Sequence, residues 1–335
     1  SVLGGAQAPL LVQYEVLEIL AGLDPAAAWY AFNARPPAVA LARLDPTAGQ
    51  KVMGNPDAYF AFSLVVGSNL AQRVAGGYLL SGRWPVVSGS PAAGWLLLSA
   101  AASDVADGQA PSIGSPDIRH CFVPADAVTV EDTWHATALR ATASNAVSVE
   151  DWFVADEFVT SLRGPTTDDR PLYRVPVGIA VQCGVGAVML GLARAAIDAL
   201  AVLAAIRFSA SRGVVLREIP WIGETIGAAE AKLRAARLFF YESARAVVAA
   251  AEQGDVADRV RAEMWAAYFH VEEVAVEVAD AAYKAGGVDA LLESCPLGGF
   301  ARDMRGLSQT GQTWGQAKID VGRVYLGADP TDPRF

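Results

Sequence analysis

Ser88-Gly89 is the pair in this 335-residue chain best placed to meet a flat ligand. Gly76-Gly77 reads as a tight turn, and Tyr78 to Val87 as a strand with Trp84, Val86 and Val87 along its apolar edge. After a short loop, Trp95 to Leu98 form a fully apolar run that reads as a buried strand. A small hydroxyl beside a glycine, where two buried strands break off, lets an aromatic ring approach the backbone closely. Farther on, Thr142 and Ser144 offer hydroxyls that can bond a phosphate or simply close a β-turn. Arg207 and Arg212 end a long apolar segment. A guanidinium fork there suits a phosphate, and it equally suits the negative end of a helix dipole. Gly184-Val-Gly186 sits inside a helical pattern and follows no strand, so close helix packing explains it better than dinucleotide binding.

Several classes are disfavoured by what surrounds these residues. The net charge is −10 with no basic stripe, which argues against nucleic acid as a partner. Cys121, Cys183 and Cys295 are far apart and form no CxxC pair, which points to a reducing, cytoplasmic setting rather than a disulfide framework. The only histidines are His120, His135 and His270. No HExxH spacing occurs, so no built-in metal site is expected. His135 reads as a strand-surface residue. Residues 175 to 208 are apolar enough to raise the question of a membrane span. They also carry Pro176, Gln182, Arg194, Asp198 and Arg207, and a buried helix is the better reading.

The elements that must position these groups fall into three parts. Residues 1–56 read as short helices over Val12 to Leu20, Pro25 to Phe32, Pro37 to Leu44 and Thr47 to Met53, an N-terminal helical domain expected to be incomplete. Residues 57–165 are strand-rich, with turn signals at short intervals that suggest an antiparallel β-barrel. Residues 166–335 carry four long helical patterns. These are Pro176 to Phe208, Pro220 to Gln253, Val256 to Ala285 (closed by Gly286-Gly287 as a C-cap) and a fourth within Leu297 to Tyr325. Four such helices predict a bundle, and the fold class is therefore α+β.

The Trp84-Pro-Val-Val-Ser-Gly89 stretch, the Trp134 to Ser144 segment with its Leu-Arg-Ala-Thr-Ala-Ser, and Arg302-Asp303 at the start of the last helix together resemble the acyl-CoA dehydrogenase superfamily. The resemblance is closest to its branch of flavin-dependent monooxygenases and hydroxylases with a type 2 C-terminal domain. It covers nearly the whole chain. It implies that Ser88 takes the place of the threonine that meets flavin N5. It also implies that Ser63, Trp84 and Gly89 border the ring, that Thr142 and Ser144 belong to a ligand-contacting signature, and that Arg207, Arg212, Gly286 and Gly287 approach a cofactor shared between two subunits. This chain departs from the pattern in two places. Both glycines of the signature after Arg140 are alanines, Ala141 and Ala143. The catalytic glutamate of many dehydrogenases would lie eight residues after Asp303, where Gly311 stands, and the hydroxylases' histidine seven residues after it, where Thr310 stands.

Acyl-CoA dehydrogenation needs a strong base for the α-proton, and the sequence offers none at these positions. Oxygen transfer from reduced flavin does not need that base. The resemblance therefore implies a two-component monooxygenase, with FMN or FAD delivered in reduced form by a separate reductase. Its substrate would be a small, largely apolar or aromatic metabolite, with Ser88 and Thr310 as the candidate catalytic residues and a homodimer or homotetramer as the assembly. Two other readings remain open at this point: an acyl-CoA dehydrogenase whose base lies elsewhere, and a non-catalytic homologue.

Overall fold

The computed structural model describes residues 8–55, 59–102, 117–168, 170–332 and 334–335. The Val2-Leu3-Gly4-Gly5 start and the expected boundary at 56/57 lie outside the described residues. The first elements are four short helices: α1 (Leu10–Leu23), α2 (Pro25–Asn33), α3 (Arg35–Leu41) and α4 (Pro46–Val52). Side-chain capping marks where two of them begin. The Asp24 carboxylate accepts from the backbone N–H groups of Ala26 and Ala27 at 2.7 and 3.1 Å, and Asp45 does the same for Thr47 at 2.8 Å. A proline follows each cap at a position where its missing N–H leaves nothing unpaired.

Eight strands follow: β1 (Tyr59–Ser63), β2 (Leu70–Val74), β3 (Gly77–Val87), β4 (Ala93–Ala102), β5 (Ile118–Pro124), β6 (Thr129–Glu131), β7 (Asn145–Ala155) and β8 (Val159–Thr160). They form one sheet in the order β6-β7-β3-β2-β4-β5-β8, with β1 beside β4. The expectation of purely antiparallel pairing needs correction: both β1 and β2 run parallel to β4. Among the described residues, no pairing closes the sheet. Two crossings that bring β1 and β2 to opposite reaches of β4 replace the simple up-and-down order that evenly spaced turns suggested. Alternation along β3 and β4 sends Leu80, Trp84, Leu96 and Leu98 into a common apolar core.

The remaining elements are α5 (Val177–Gln182), α6 (Gly184–Ile206), a small hairpin of β9 (Phe208–Ser209) and β10 (Val214–Val215), then α7 (Pro220–Gln253), α8 (Asp258–Gly286), α9 (Pro296–Ser308) and α10 (Gly315–Tyr325). The α6 helix is the apolar centre, packed by α1, α7, α8 and α9. Residues Val177–Ile206 are long and apolar enough to cross a membrane by composition, and most of their central stretch is buried within the protein.

Two of the expected helices are broken. The first splits at Cys183, where the Gly186 N–H reaches back to the Cys183 carbonyl at 3.0 Å in a tight turn. Gly184 there leaves room for Arg35 and Phe32, and Gly186 leaves room for Phe240, which confirms close packing as the role of this glycine pair. The last helix is interrupted by a 3-10 segment, Gln309–Trp314. In and just before it, Ser308, Thr310 and Thr313 hydroxyls bond the carbonyls of Arg305, Leu307 and Thr310, competing with the regular helical ladder.

Candidate active site

Ser88 follows the last residue of β3 and is buried. Its oxygen accepts from the Trp29 indole Nε1–H at 2.9 Å, which ties the strand end to α2. The same oxygen lies 2.7 Å from Ser144 Oγ, and Ser144 Oγ lies 2.6 Å from Thr142 Oγ1. Thr142 in turn donates to the Leu139 carbonyl at 2.8 Å. Ser88 is thus joined to two hydroxyls more than fifty residues farther along the chain in one row, and all three are buried. The row is held from below by α9: the Asp303 carboxylate accepts from the Leu139 backbone N–H at 2.6 Å. Burial pushes the Asp303 carboxyl above its ordinary pKa, and the hydrogen bond from Leu139 partly offsets this.

The loop that carries Thr142 and Ser144 adopts left-handed backbone at Leu139 (φ +49°) and Ala143 (φ +43°). Glycine tolerates that region freely, whereas alanine does so only under strain. This accounts for one of the two glycines expected in the signature, at the position where this chain has Ala143. Gly89 also has a left-handed backbone (φ +74°), and a Cβ on it would meet the rings of Tyr59 and Tyr30. Beside it lie two buried oxygens with no hydrogen-bond partner among the described residues, Tyr59 Oη and Ser90 Oγ. The unpaired Tyr59 and Ser90 oxygens offer hydrogen-bonding groups of the kind that the edge of an isoalloxazine could use.

At the other end, Thr310 lies in the 3-10 break of the last helix. Its hydroxyl donates to Leu307 and accepts from Gln182 Nε2 at 3.3 Å, and Gln182 Nε2 also donates to Tyr268 Oη at 2.7 Å. Next to it, Gly311 is covered by a carboxylate from a different helix. A Cβ built on Gly311 would collide with Oε1 and Oε2 of Glu272 on α8. Glu272 is half-buried, and desolvation raises its pKa above the usual carboxylate range, with Lys318 lowering it and Glu273 raising it further. No hydrogen bond to its carboxylate is found among the described residues. The sequence reading missed this residue. Its signal was a glutamate one turn after the inward-facing Tyr268, on the buried side of an otherwise well-patterned amphipathic helix.

The two ends meet through α2 and the α5–α6 junction. Trp29, bonded to Ser88, packs on Phe32 with ring centroids 4.9 Å apart. Phe32 faces Gly184, two residues after Gln182.

Other sequence-based candidates are placed differently. Trp84 is fully buried, with its indole N–H donating to the Ser99 carbonyl at 2.9 Å; it is a core residue of the sheet. Ser63 closes the far end of β1, four residues beyond Tyr59 (about 13 Å of strand), so it does not join the Ser88 cluster. Arg207 is paired with Asp289 at 2.5 Å, while Arg212 is exposed in the β9–β10 turn. Gly286 leaves room for Leu297, and Gly287 (φ +58°) ends α8. His135 lies in an exposed loop rather than on a strand. A cavity of about 410 Å³ opens between α1, α3 and the segment before α5, and none of the sequence-based candidates lines it. Two buried nitrogens there, Arg35 Nη1 and Arg43 Nε, have no partner among the described residues. Among the described residues, no group of three or more histidines, cysteines or carboxylates is set to hold a metal.

This helices–sheet–helices order with a hydroxyl at the end of β3 is the arrangement of the acyl-CoA dehydrogenase fold. The family described as "Acyl-CoA dehydrogenase, C-terminal domain" matches residues 183–309. An indole-3-acetate monooxygenase from Pseudomonas putida is 30% identical over 332 residues, covering 98% of this chain and 82% of that protein. The oxygenase subunit of a flavin-dependent monooxygenase from Rhodococcus jostii is 28% identical over 205 residues, 58% of this chain and 52% of that one. Among solved structures, XiaF from Streptomyces sp., in complex with FADH2 and glycerol, superposes with a TM-score of 0.88 at 25% identity, covering 99% of this chain and 85% of that one. The chain belongs to the acyl-CoA dehydrogenase superfamily, in its branch of flavin-dependent monooxygenases.

Proposed function

We propose that the chain is the oxygenase component of a two-component system, hydroxylating a small aromatic or largely apolar metabolite with O₂ and reduced flavin supplied by a separate reductase. The reading rests above all on the Ser88–Gly89 corner, a buried hydroxyl held by Trp29 and Ser144 beside the Tyr59 and Ser90 oxygens, which have no partner among the described residues. Reduced FMN or FAD, when bound, supplies the electrons that activate O₂. The protein's own part is to hold the ring edge, exclude water and present the substrate. Ser88 would hold the central ring nitrogen, with Gly89 beside it at the end of β3. Thr310 and Gln182 face the substrate. Glu272 accepts the proton from a substrate hydroxyl or ring N–H: that bond breaks, the electron pair stays on the substrate, and the carboxylate becomes a neutral acid.

Glu272 also supplies the one observation that favours acyl-CoA dehydrogenation, because its carboxylate covers the position where that reaction's base would be rooted. One experiment separates the two. Dithionite-reduced FMN or FAD is bound anaerobically, then mixed with O₂ and a panel of phenols and indoles; hydroxylated product is expected. Bleaching of bound oxidised FAD by an acyl-CoA, with no reductase present, would overturn the reading.

The finer architecture belongs to the same proposal. We assign residues 1–56, 57–165 and 166–335 to three domains, the second a barrel-like unit and the last a four-helix bundle built from α6, α7, α8 and the broken final helix. Cytoplasmic location is supported by three free cysteines. A homodimer or homotetramer is supported by the exposed Ile206, Phe208, Leu291 and Leu292 near the α6 and α8 ends. In such an assembly Arg212, Gly286 and Gly287 lie on the same side as that apolar group.

A further inference from the structure

We infer that Thr142 and Ser144 fix the direction of the Ser88 hydroxyl, so that Ser88 offers the flavin an acceptor and selects the reduced ring over the oxidised one. The inference rests on the flavin reading above and adds two positioning residues, Thr142 and Ser144, that act through Ser88.

Each hydroxyl has one hydrogen to give and two lone pairs to receive with. Thr142 gives its hydrogen to the Leu139 carbonyl at 2.8 Å. The 2.6 Å contact between Thr142 and Ser144 must then be filled by the Ser144 hydrogen. The 2.7 Å contact between Ser144 and Ser88 must in turn be filled by the Ser88 hydrogen. Trp29 Nε1–H, which can only donate, occupies one lone pair of Ser88. Ser88 is left with a single free lone pair and no free hydrogen.

The opposite direction is poorer in the protein alone. If Thr142 gave to Ser144 and Ser144 to Ser88, the Ser88 hydrogen would have no acceptor among the described residues, and a buried hydrogen would go unused. The Leu139 carbonyl would also lose the Thr142 hydroxyl and keep only the Trp134 indole N–H and the Thr142 backbone N–H, at 3.1 Å each. The row therefore reverses only when a ligand supplies an acceptor.

The two redox states of a flavin differ at this point. The oxidised ring presents N5 as a bare acceptor, whereas the two-electron-reduced ring presents N5–H. Reduced flavin bonds to the row as it stands. Oxidised flavin must first reverse it, giving up the Thr142–Leu139 bond. A net hydrogen bond of that kind corresponds to roughly two- to tenfold in affinity. An oxygenase fed by a separate reductase gains from this, since it captures reduced flavin and releases the oxidised product.

The test is a pair of anaerobic titrations, oxidised and dithionite-reduced FMN and FAD, followed by flavin fluorescence and absorbance. The wild type is compared with Ser144→Ala, Thr142→Val and the conservative Thr142→Ser. The wild type is expected to bind the reduced form more tightly. Ser144→Ala and Thr142→Val free the Ser88 hydrogen, so each should tighten oxidised-flavin binding by about two- to tenfold and compress the ratio. Thr142→Ser should keep the ratio. Thermal melts identify any variant that fails to fold. An unchanged ratio in both folded variants, or equal wild-type affinity for the two forms, overturns the inference. A wild type that binds neither form instead brings down the flavin reading itself.

Discussion

The Ser88 corner and the Glu272 corner solve opposite problems with the same kind of material. At the sheet end, every hydroxyl in the Ser88–Ser144–Thr142 row has a named partner within 2.9 Å, and the row ends on a backbone carbonyl. At the helix end, a half-buried carboxylate lies over a glycine with no hydrogen bond to hold it, and its ionised form is disfavoured there. A satisfied row has one arrangement and resists change. An unsatisfied carboxylate retains capacity for a ligand's hydrogen. Positioning is therefore concentrated at the sheet end, and proton-accepting capacity at the helix end.

The strongest way to break this division is Glu272→Gln. The amide keeps the shape and removes the basic oxygen. Turnover of a phenolic or indolic substrate should fall about a hundredfold or more, the usual contribution of a positioned base. Flavin affinity should stay within error in the same titration. A parallel loss of flavin binding would show that Glu272 belongs to the ring site and that the two corners are not separate in role. The pH response of stability carries its own sign. A carboxylate whose folded pKa is raised stabilises fully below its unfolded value, and that contribution is lost as pH rises through the raised value. Glu272→Gln should therefore melt higher than wild type at pH 8 and equally at pH 4.

Next in size is Gly89→Ala. Its left-handed backbone (φ +74°) already disfavours a side chain, and the new methyl would strike the Tyr59 and Tyr30 rings, neither of which can step aside cheaply. A loss of about 3 kcal/mol in urea unfolding is expected. A cost under about 0.5 kcal/mol, ordinary for a surface change, would mean that this corner is far looser than its packing implies.

Somewhat smaller is an acid response rooted in the sheet. His120 on β5 is buried, bonded through Nδ1 to Ser99 Oγ at 2.7 Å, and desolvation together with Arg43 and Arg119 lowers its pKa to about 4. The unfolded chain takes up this proton near pH 6.5 and the folded one only near pH 4. Stability attributable to His120 is thus lost as pH falls between those values, by roughly 2 kcal/mol by pH 5. A His120→Gln variant should show a flatter melting profile from pH 7 to 5. An unchanged slope would assign the acid response to other groups. Acid thus weakens the sheet side, whereas ionisation of Glu272 weakens the helix side.

Much of this division was legible in the residues. The strand before Ser88 and the helix starts at Pro25 and Pro220 follow from short-range patterns, whereas Arg302-Asp303, expected to open the last helix, lies midway along α9, which starts at Pro296. Asp303 then turned out to hold the Leu139 N–H, a contact across 164 residues that local periodicity cannot encode. Trp84 illustrates the reverse failure. An aromatic residue in a strand reads the same whether it lines a site or fills a core, and only the Ser99 carbonyl decides for the core. The parallel pairing of β1 and β2 with β4 was hidden because turn spacing carries no information about crossings. Glu272 was hidden because the vacancy at Gly311 is filled from another helix.

The smallest expected effect tests that substitution of one helix for another. Gly311→Ala places a methyl where the Glu272 carboxylate lies. The obstacle is the far end of a flexible side chain with no hydrogen bond to lose, so it can swing toward solvent and Lys318. Alanine also favours helix by about 1 kcal/mol over glycine, which offsets the crowding. Stability should therefore change by less than about 1 kcal/mol, in contrast to Gly89→Ala, where two packed rings stand in the way and the backbone is left-handed. Turnover is the sharper readout. If Glu272 acts from above Gly311, displacing it should reproduce part of the Glu272→Gln defect, and the double variant should be no worse than Glu272→Gln alone. Additive losses in the double variant would show that Gly311 matters for the conformation of the 3-10 break rather than for the room it leaves to Glu272.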